Sequence, residues 1–188
     1  MCRAFCHRGE VKGMDFRRAA PTLGSMTISP NYESAERLLR EMKSRGLTIA
    51  TAESCTGGLI AATLAAVPGA SASLERGFVT YSNEAKTELL GVPAELIREH
   101  GAVSREVALA MVAGALAHSP ADVAVAVTGI AGPDGGTAAK PVGLVHISAA
   151  RRGGVTLHEE MRFGAIGRHE VQLATVAEAF ALVTRALG

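Results

Sequence analysis

The sequence predicts a three-layer α/β/α domain built on a mixed, mostly parallel sheet. Three observations lead there. Through residue 128, short apolar segments alternate with helical ones, the pattern of parallel strands joined by crossover helices. Beyond it, two strand-like segments flank Arg151-Arg152-Gly153-Gly154, and four connecting residues fit an antiparallel hairpin. The 188 residues are 48% hydrophobic but only 4% aromatic, with no Trp, so the core has to be packed from Ala, Val, Leu and Ile. That length suffices for one domain with a sizeable core.

The folded domain is expected over residues 31–188. Residues 32–45 read as a helix, with Leu38, Leu39 and Met42 on one face and Gly46 as its stop. Residues 47–52 form a first strand, residues 59–67 an Ala-rich helix ended by Pro68-Gly69, and residues 77–81 a second strand. Residues 82–90 are a short helix ended by Gly91; residues 93–100 are another, with Pro93 at its first position. Ser104 N-caps a helix that runs through Ala117. Residues 122–128, alternating Val and Ala, make a third strand, and residues 142–150 and 155–163 make the hairpin. Residues 168–187 close as an amphipathic helix, with Val171, Ala174, Val176, Phe180 and Val183 turned to the core.

A net charge of +1 supplies no field to hold nucleic acid or an anionic membrane, and so few aromatics leave few platforms for stacked bases. No apolar run approaches the roughly 18 residues of a membrane span. Cys2, Cys6 and Cys55 form neither a disulfide framework nor a metal knuckle, and the six histidines are scattered. The expectation is a cytoplasmic protein with no structural metal and no cofactor. Residues 1–30 carry Arg3, Arg8, Lys12, Arg17 and Arg18 without an apolar stretch, so they are not a secretory signal, and Glu10 and Asp15 weigh against a transit peptide. A disordered extension is expected there, with Met14 and Met26 as alternative starts.

Three unusual segments each follow a predicted strand: residues 53–58, 82–86 and 129–136. If those strands are parallel, all three lie at one end of the sheet, where open α/β sheets bind ligands. In the first, Gly57-Gly58 opens a helix just after Ser54, and free backbone N–H groups there suit a phosphate or an oxyanion. Ser54 and Thr56 are equally the residue types that cap helices. Cys55 is a rival nucleophile or, more commonly, a buried structural cysteine. Lys86, five residues after Tyr81, does not have the YxxxK spacing of short-chain dehydrogenases, and no GxGxxG follows the first strand; by itself it reads as a solvated helix lysine. The third segment holds Gly129, Gly132, Gly135 and Gly136, generous for a mere connector and suited to close backbone approach to a ligand. Lys140, just beyond, reads as a solvated loop lysine.

Taken together, TAESCTGG (51–58), RGFVTYSNEAK (76–86), HGAVS (100–104), VTGIAGPDGGT (127–137) and KPVGLVHI (140–147) resemble the C-terminal domain of CinA proteins, whose stand-alone members are nicotinamide-mononucleotide deamidases. The resemblance covers residues 32–187. It implies an α/β/α domain, hydrolysis of nicotinamide mononucleotide to nicotinate mononucleotide and ammonia without metal or cofactor, a place in pyridine-nucleotide recycling, and a homo-oligomer. It implies Ser54 as the nucleophile, assisted by Tyr81 and Lys86. The motif residues Thr56, Gly57, Asn83, Thr128, Gly129 and Gly132 are assigned to the substrate, with Arg168 as a phosphate anchor. Many members carry Gly-Asp-Arg before the last helix; here Ala165-Ile166-Gly167-Arg168 keeps the arginine and lacks the acid. As a base, Lys86 would need its pKa lowered by roughly three units from ~10.4, a cost of about 4 kcal/mol; if it stays charged, it instead polarises Tyr81 or steadies negative charge. Two rival functions use the same loops: a nucleotide-sensing or partner-binding domain without turnover, and an amidase for another small amide.

Overall fold

A computed structural model describes residues 30–188. The extension expected over residues 1–30 falls outside that range except for Pro30, which sits in an exposed turn. The elements in order are α1 (Tyr32–Ser44), β1 (Ile49–Glu53), α2 (Leu59–Ala65), β2 (Leu74–Val79), α3 (Asn83–Leu90), α4 (Ala94–His100), α5 (Arg105–Ala117), β3 (Val123–Gly129), β4 (Leu144–Arg151), β5 (Thr156–Arg162) and α6 (Arg168–Leu187), with a 3₁₀ turn at Ala70–Ala72 before β2. The sheet order is β2-β1-β3-β4-β5. β1 pairs in parallel with β2 and β3, whereas β4 runs antiparallel to both its neighbours, so it alone opposes the other four strands.

Strand alternation divides the core in two. Val123, Val125 and Val127 pack with Ile49 and Ile147 against α1, α2 and α6. Ala124 and Ala126 face the other way, with Ala52, against α3, α4 and α5. Those short side chains let the second helical layer lie close to the sheet. Crowding continues between its helices: a Cβ built on Gly114 of α5 would stand 2.0 Å from the carbonyl oxygen of Leu90, the last residue of α3. Gly114→Ala is therefore expected to lower stability by ~1–3 kcal/mol through overpacking, although alanine is favoured over glycine in a helix by about 1 kcal/mol. Urea denaturation checks this: a reduced midpoint with unchanged slope is the expected result, and an unchanged or raised midpoint would show that α3 yields freely.

Local chemistry moved several predicted boundaries. β1 starts at Ile49 because Leu47 N–H closes α1 on Met42 O and Thr48 is bonded through N–H and hydroxyl to Asp122. β2 starts at Leu74, three residues early, and includes the ion pair of half-buried Glu75 with exposed Arg76, charges that suit an edge strand. Pro93 is the N-cap of α4 rather than its first residue, β3 runs one residue further to Gly129, and β4 begins only after Gly143, whose φ of +85° turns the chain against Gly164. Ser104 caps α5 through Val107 N–H, and α6 spans the expected residues.

Candidate active site

β1, β2 and β3 end together, and the three segments that follow them converge as the sequence predicts. Ser54 is the first residue beyond β1 and is buried; its N–H donates to Val127 O of β3 at 3.1 Å. Glu53 points to the α2 side, so the next step of the chain turns Ser54 toward α3. There Lys86, in the first turn of α3, places Nζ 3.1 Å from Ser54 Oγ. Ser82 fixes that turn by accepting from Ala85 N–H at 3.0 Å.

Lys86 is not a solvated helix lysine: it is 1% exposed. Its Nζ donates to Thr80 O at 3.0 Å and Ser82 O at 3.3 Å. Burial pushes its pKa below the ordinary lysine value, against an opposing pull from Cys55 and Glu84. A neutral amine has two N–H bonds and one lone pair. Were the amine neutral, with the two carbonyls taking its N–H bonds, its lone pair would face the Ser54 hydroxyl; when protonated, Nζ donates to Ser54 Oγ as well.

Cys55 is the buried structural cysteine. Burial pushes its thiol up to about 12, so it stays protonated and unreactive at neutral pH. Its carbonyl accepts from Gln172 Nε2 of α6 at 2.9 Å, tying the turn to the last helix.

The residue that sequence reasoning missed is Glu53. It is fully buried, and its carboxylate accepts five hydrogen bonds: Thr51 Oγ1 and Ala61 N–H on Oε1, and Thr56 Oγ1, Gly58 N–H and Ile60 N–H on Oε2, at 2.7–3.1 Å. Neither Ser54 nor Thr56 caps α2; Gly58 occupies the N-cap with φ +104° and no side-chain bond, and Glu53 does the capping from β1. Gly57 N–H donates to Ser54 O and Leu59 N–H to Thr56 O. Every backbone N–H from Gly57 to Ala61 is thereby occupied, so the helix start offered to a phosphate or oxyanion is already filled. Thr56 spends its hydroxyl on Glu53, and Gly57 lies exposed beside the Tyr81 ring. A signal was available: a glycine at the start of a helix leaves a capping role open, and an acid lies five residues before it.

The third segment and α6 complete a cavity of 210 Å³ whose lining includes Ser54, Lys86, Asn83, Thr128, Gly129 and Arg168. Thr128 is fully buried and donates to Ala102 O at 2.8 Å. A Cβ on Gly129 would meet Val145 Cγ2 at 2.6 Å, so glycine is needed for packing there. Arg168 donates to Gly132 O at 2.9 Å and to the Tyr81 hydroxyl. Tyr81 is 58% exposed and makes no hydrogen bond to Ser54 or Lys86: it stands at the mouth with Arg168. Lys140 is not solvated either; it donates to His100 O at 2.6 Å and Val103 O at 2.7 Å and ties its loop to the one before α5. Among the described residues no cluster of three or more His, Cys, Asp or Glu is placed to hold a metal ion, and no helix is long and apolar enough to cross a membrane.

A three-layer domain with a buried serine–lysine pair at the carboxyl ends of its parallel strands is an α/β protein with a cavity at the end of the sheet where such folds bind ligands. The chain belongs to the CinA C-terminal domain family, whose profile it matches over residues 31–187. It is 49% identical over 136 residues to the nicotinamide-nucleotide amidohydrolase PncC of Escherichia coli K12, a match covering 71% of this chain and 82% of that one. It is 58% identical over 121 residues to a CinA-like protein of Citrifermentans bemidjiense, covering 64% of this chain and 29% of that one. The chain spans only 28–34% of the length of that protein and three similar curated relatives. Among solved structures, the competence/damage inducible protein CihA from Agrobacterium tumefaciens superposes with a TM-score of 0.83 at 53% identity, covering 84% of this chain and 95% of that one.

Proposed function

We propose that this chain is an amidohydrolase that converts nicotinamide mononucleotide to nicotinate mononucleotide and ammonia, with Ser54 as nucleophile. The observation that carries the reading is the buried 3.1 Å contact between Ser54 Oγ and Lys86 Nζ. The likeness to a nicotinamide-nucleotide amidohydrolase supplies the amide. Ser54 Oγ attacks the carboxamide carbon as neutral Lys86 takes its proton. The C–N bond then breaks, and Lys86 returns the proton to the departing nitrogen, which leaves as ammonia. Water, activated by the same amine, hydrolyses the ester and frees Ser54. The scheme uses no metal or cofactor.

Within this reading the pyridine carboxamide occupies the Ser54 end of the cavity, beside Asn83, Thr128 and Gly129. The phosphate reaches the mouth, where Arg168, Tyr81 and Gly132 meet. Thr56 and Gly57 serve the nucleophile turn. The proposal extends to pyridine-nucleotide recycling in a reducing cytoplasm and to a homo-oligomeric assembly.

Incubation of the purified protein with the mononucleotide tests the reading. Equal yields of ammonia and nicotinate mononucleotide are expected; binding without turnover would make the chain a nucleotide sensor, and turnover of other amides alone would make it a different amidase. Turnover should rise with pH, because the neutral form of Lys86 is the base. Its pKa is lowered by burial, so the rise should be centred below the ~10.4 of a free lysine. A midpoint at or above that value would leave Lys86 a fixed cation.

A further inference from the structure

Glu53 is, among the described residues, the one acidic side chain that is fully buried, and the proposed chemistry gives it no step. A buried carboxyl group needs hydrogen bonds in place of the water it has lost. Three of its five partners are backbone N–H groups of Gly58, Ile60 and Ala61, which can only donate; the other two are the hydroxyls of Thr51 and Thr56. The backbone of Glu53 is held as firmly: Thr80 N–H donates to its carbonyl at 2.8 Å, and the N–H of the next residue, Ser54, donates to Val127 O. The nucleophile turn is thus clamped on both sides of Ser54, by the sheet before it and by the carboxylate on Thr56 and Gly58 after it. The sheet is shaped to allow this. A Cβ on Gly77 of β2 would lie 3.0 Å from Thr51 Oγ1 and 3.1 Å from Ala61 Cβ, two residues that both donate to Glu53.

We infer that Glu53 is a positioning residue for the reaction: its carboxylate holds the turn from Ser54 to Gly58 so that Ser54 Oγ meets Lys86 Nζ, and it takes up the first amides of α2 so that they play no part in binding the substrate. This rests on the reading of Ser54 and Lys86 as nucleophile and base. Glu53 touches no reacting atom and acts only through Ser54.

Glu53→Gln keeps the shape of the side chain but turns one of the two acceptor oxygens into a donor facing donors. The turn then has to shift. Misplacement on the scale of 1 Å can cost about a hundredfold in rate. Well below the melting temperature of each variant, kcat is expected to fall about a hundredfold with KM changed less than about threefold. The rate at which a fluorophosphonate labels Ser54, per folded molecule, should fall with kcat. The pH midpoint of kcat should stay in place, since geometry and not the Lys86 proton has changed. Thr56→Val, which removes one donor and keeps the carboxylate, should move kcat and labelling in the same direction by a smaller factor, and it carries the test alone if Glu53→Gln does not fold. Wild-type kcat and labelling rate in a folded Glu53→Gln, or in Thr56→Val where that variant alone folds, would overturn the inference and leave Glu53 a stabiliser of α2. Ser54→Ala is assayed alongside: if it still turns over, the nucleophile reading fails, whereas an inactive Ser54→Ala with an unimpaired Glu53→Gln removes only the positioning role.

Discussion

Ser54→Ala and Lys86→Met should each lower kcat by at least about a thousandfold while the protein stays folded. Alanine removes the one oxygen among the described residues within reach of Lys86 Nζ that can act as a nucleophile; its other partners are the backbone carbonyls of Thr80 and Ser82. Methionine is close to lysine in length, suits a site that is 1% exposed, and cannot accept the serine proton. In the proposed reaction the two groups share one proton transfer, so their losses should not add: the double variant should be about as slow as either single one. Additive losses would mean that they act in separate steps. Cys55→Ser is the control, expected to stay within a few-fold of wild type, since a thiol pushed up to about 12 supplies no thiolate at neutral pH. Ammonia release and circular dichroism on the same samples check all four.

Nicotinamide riboside, which lacks the phosphate, should be hydrolysed at least about a hundredfold less efficiently than the mononucleotide, as a difference of about 2.7 kcal/mol implies. Hydrogen bonds to charged groups contribute roughly 1.5–3 kcal/mol each, so one guanidinium contact with a second weaker one is enough. With the amides of α2 occupied, the proposed reading gives that contact to Arg168 at the mouth. Its two guanidinium partners are a carbonyl and a phenol, neither of them an acid, so its positive charge is not neutralised by them. Arg168→Ala should therefore reduce kcat/KM for the mononucleotide and hardly change it for the riboside. Equal use of both substrates by the wild type would show that the phosphate is not read. A wild-type preference that survives Arg168→Ala would move its recognition to the loop backbone around Gly132.

Where chemistry follows from local pattern, the sequence was readable. Three apolar strands, each followed by a peculiar polar or glycine-rich segment, were enough to place those segments together at one end of the sheet. The hairpin around Arg151-Arg152-Gly153-Gly154 and the long α6 also came from pattern alone, because a four-residue connection and a 3.6-residue period are local properties. Lys86 was opaque for the opposite reason. Its amine is buried against Ser54, 32 residues earlier in the chain, a contact no short window of sequence contains. Lys140 was misread in the same way, since its two carbonyl partners lie 37 and 40 residues away. Glu53 was missed because capping was sought at residues next to the helix, whereas the carboxylate reaches α2 from the adjoining strand. Arg168 without its expected acid reads more simply in three dimensions: the Tyr81 hydroxyl and Gly132 O take up its N–H groups.

The last helix lends the site two of its residues. Gln172 reaches back 117 positions to Cys55, and Arg168 reaches back 87 to Tyr81. Ribosomes deliver a chain from its N-terminus at about 5–20 residues per second. Ser54 and Lys86 are therefore made seconds before the helix that braces their turn and furnishes the mouth. While the nascent chain still lacks that helix, the turn at Ser54 has no brace from Gln172 and the cavity has no Arg168. On the proposed reading, reactivity would wait until α6 has emerged and docked.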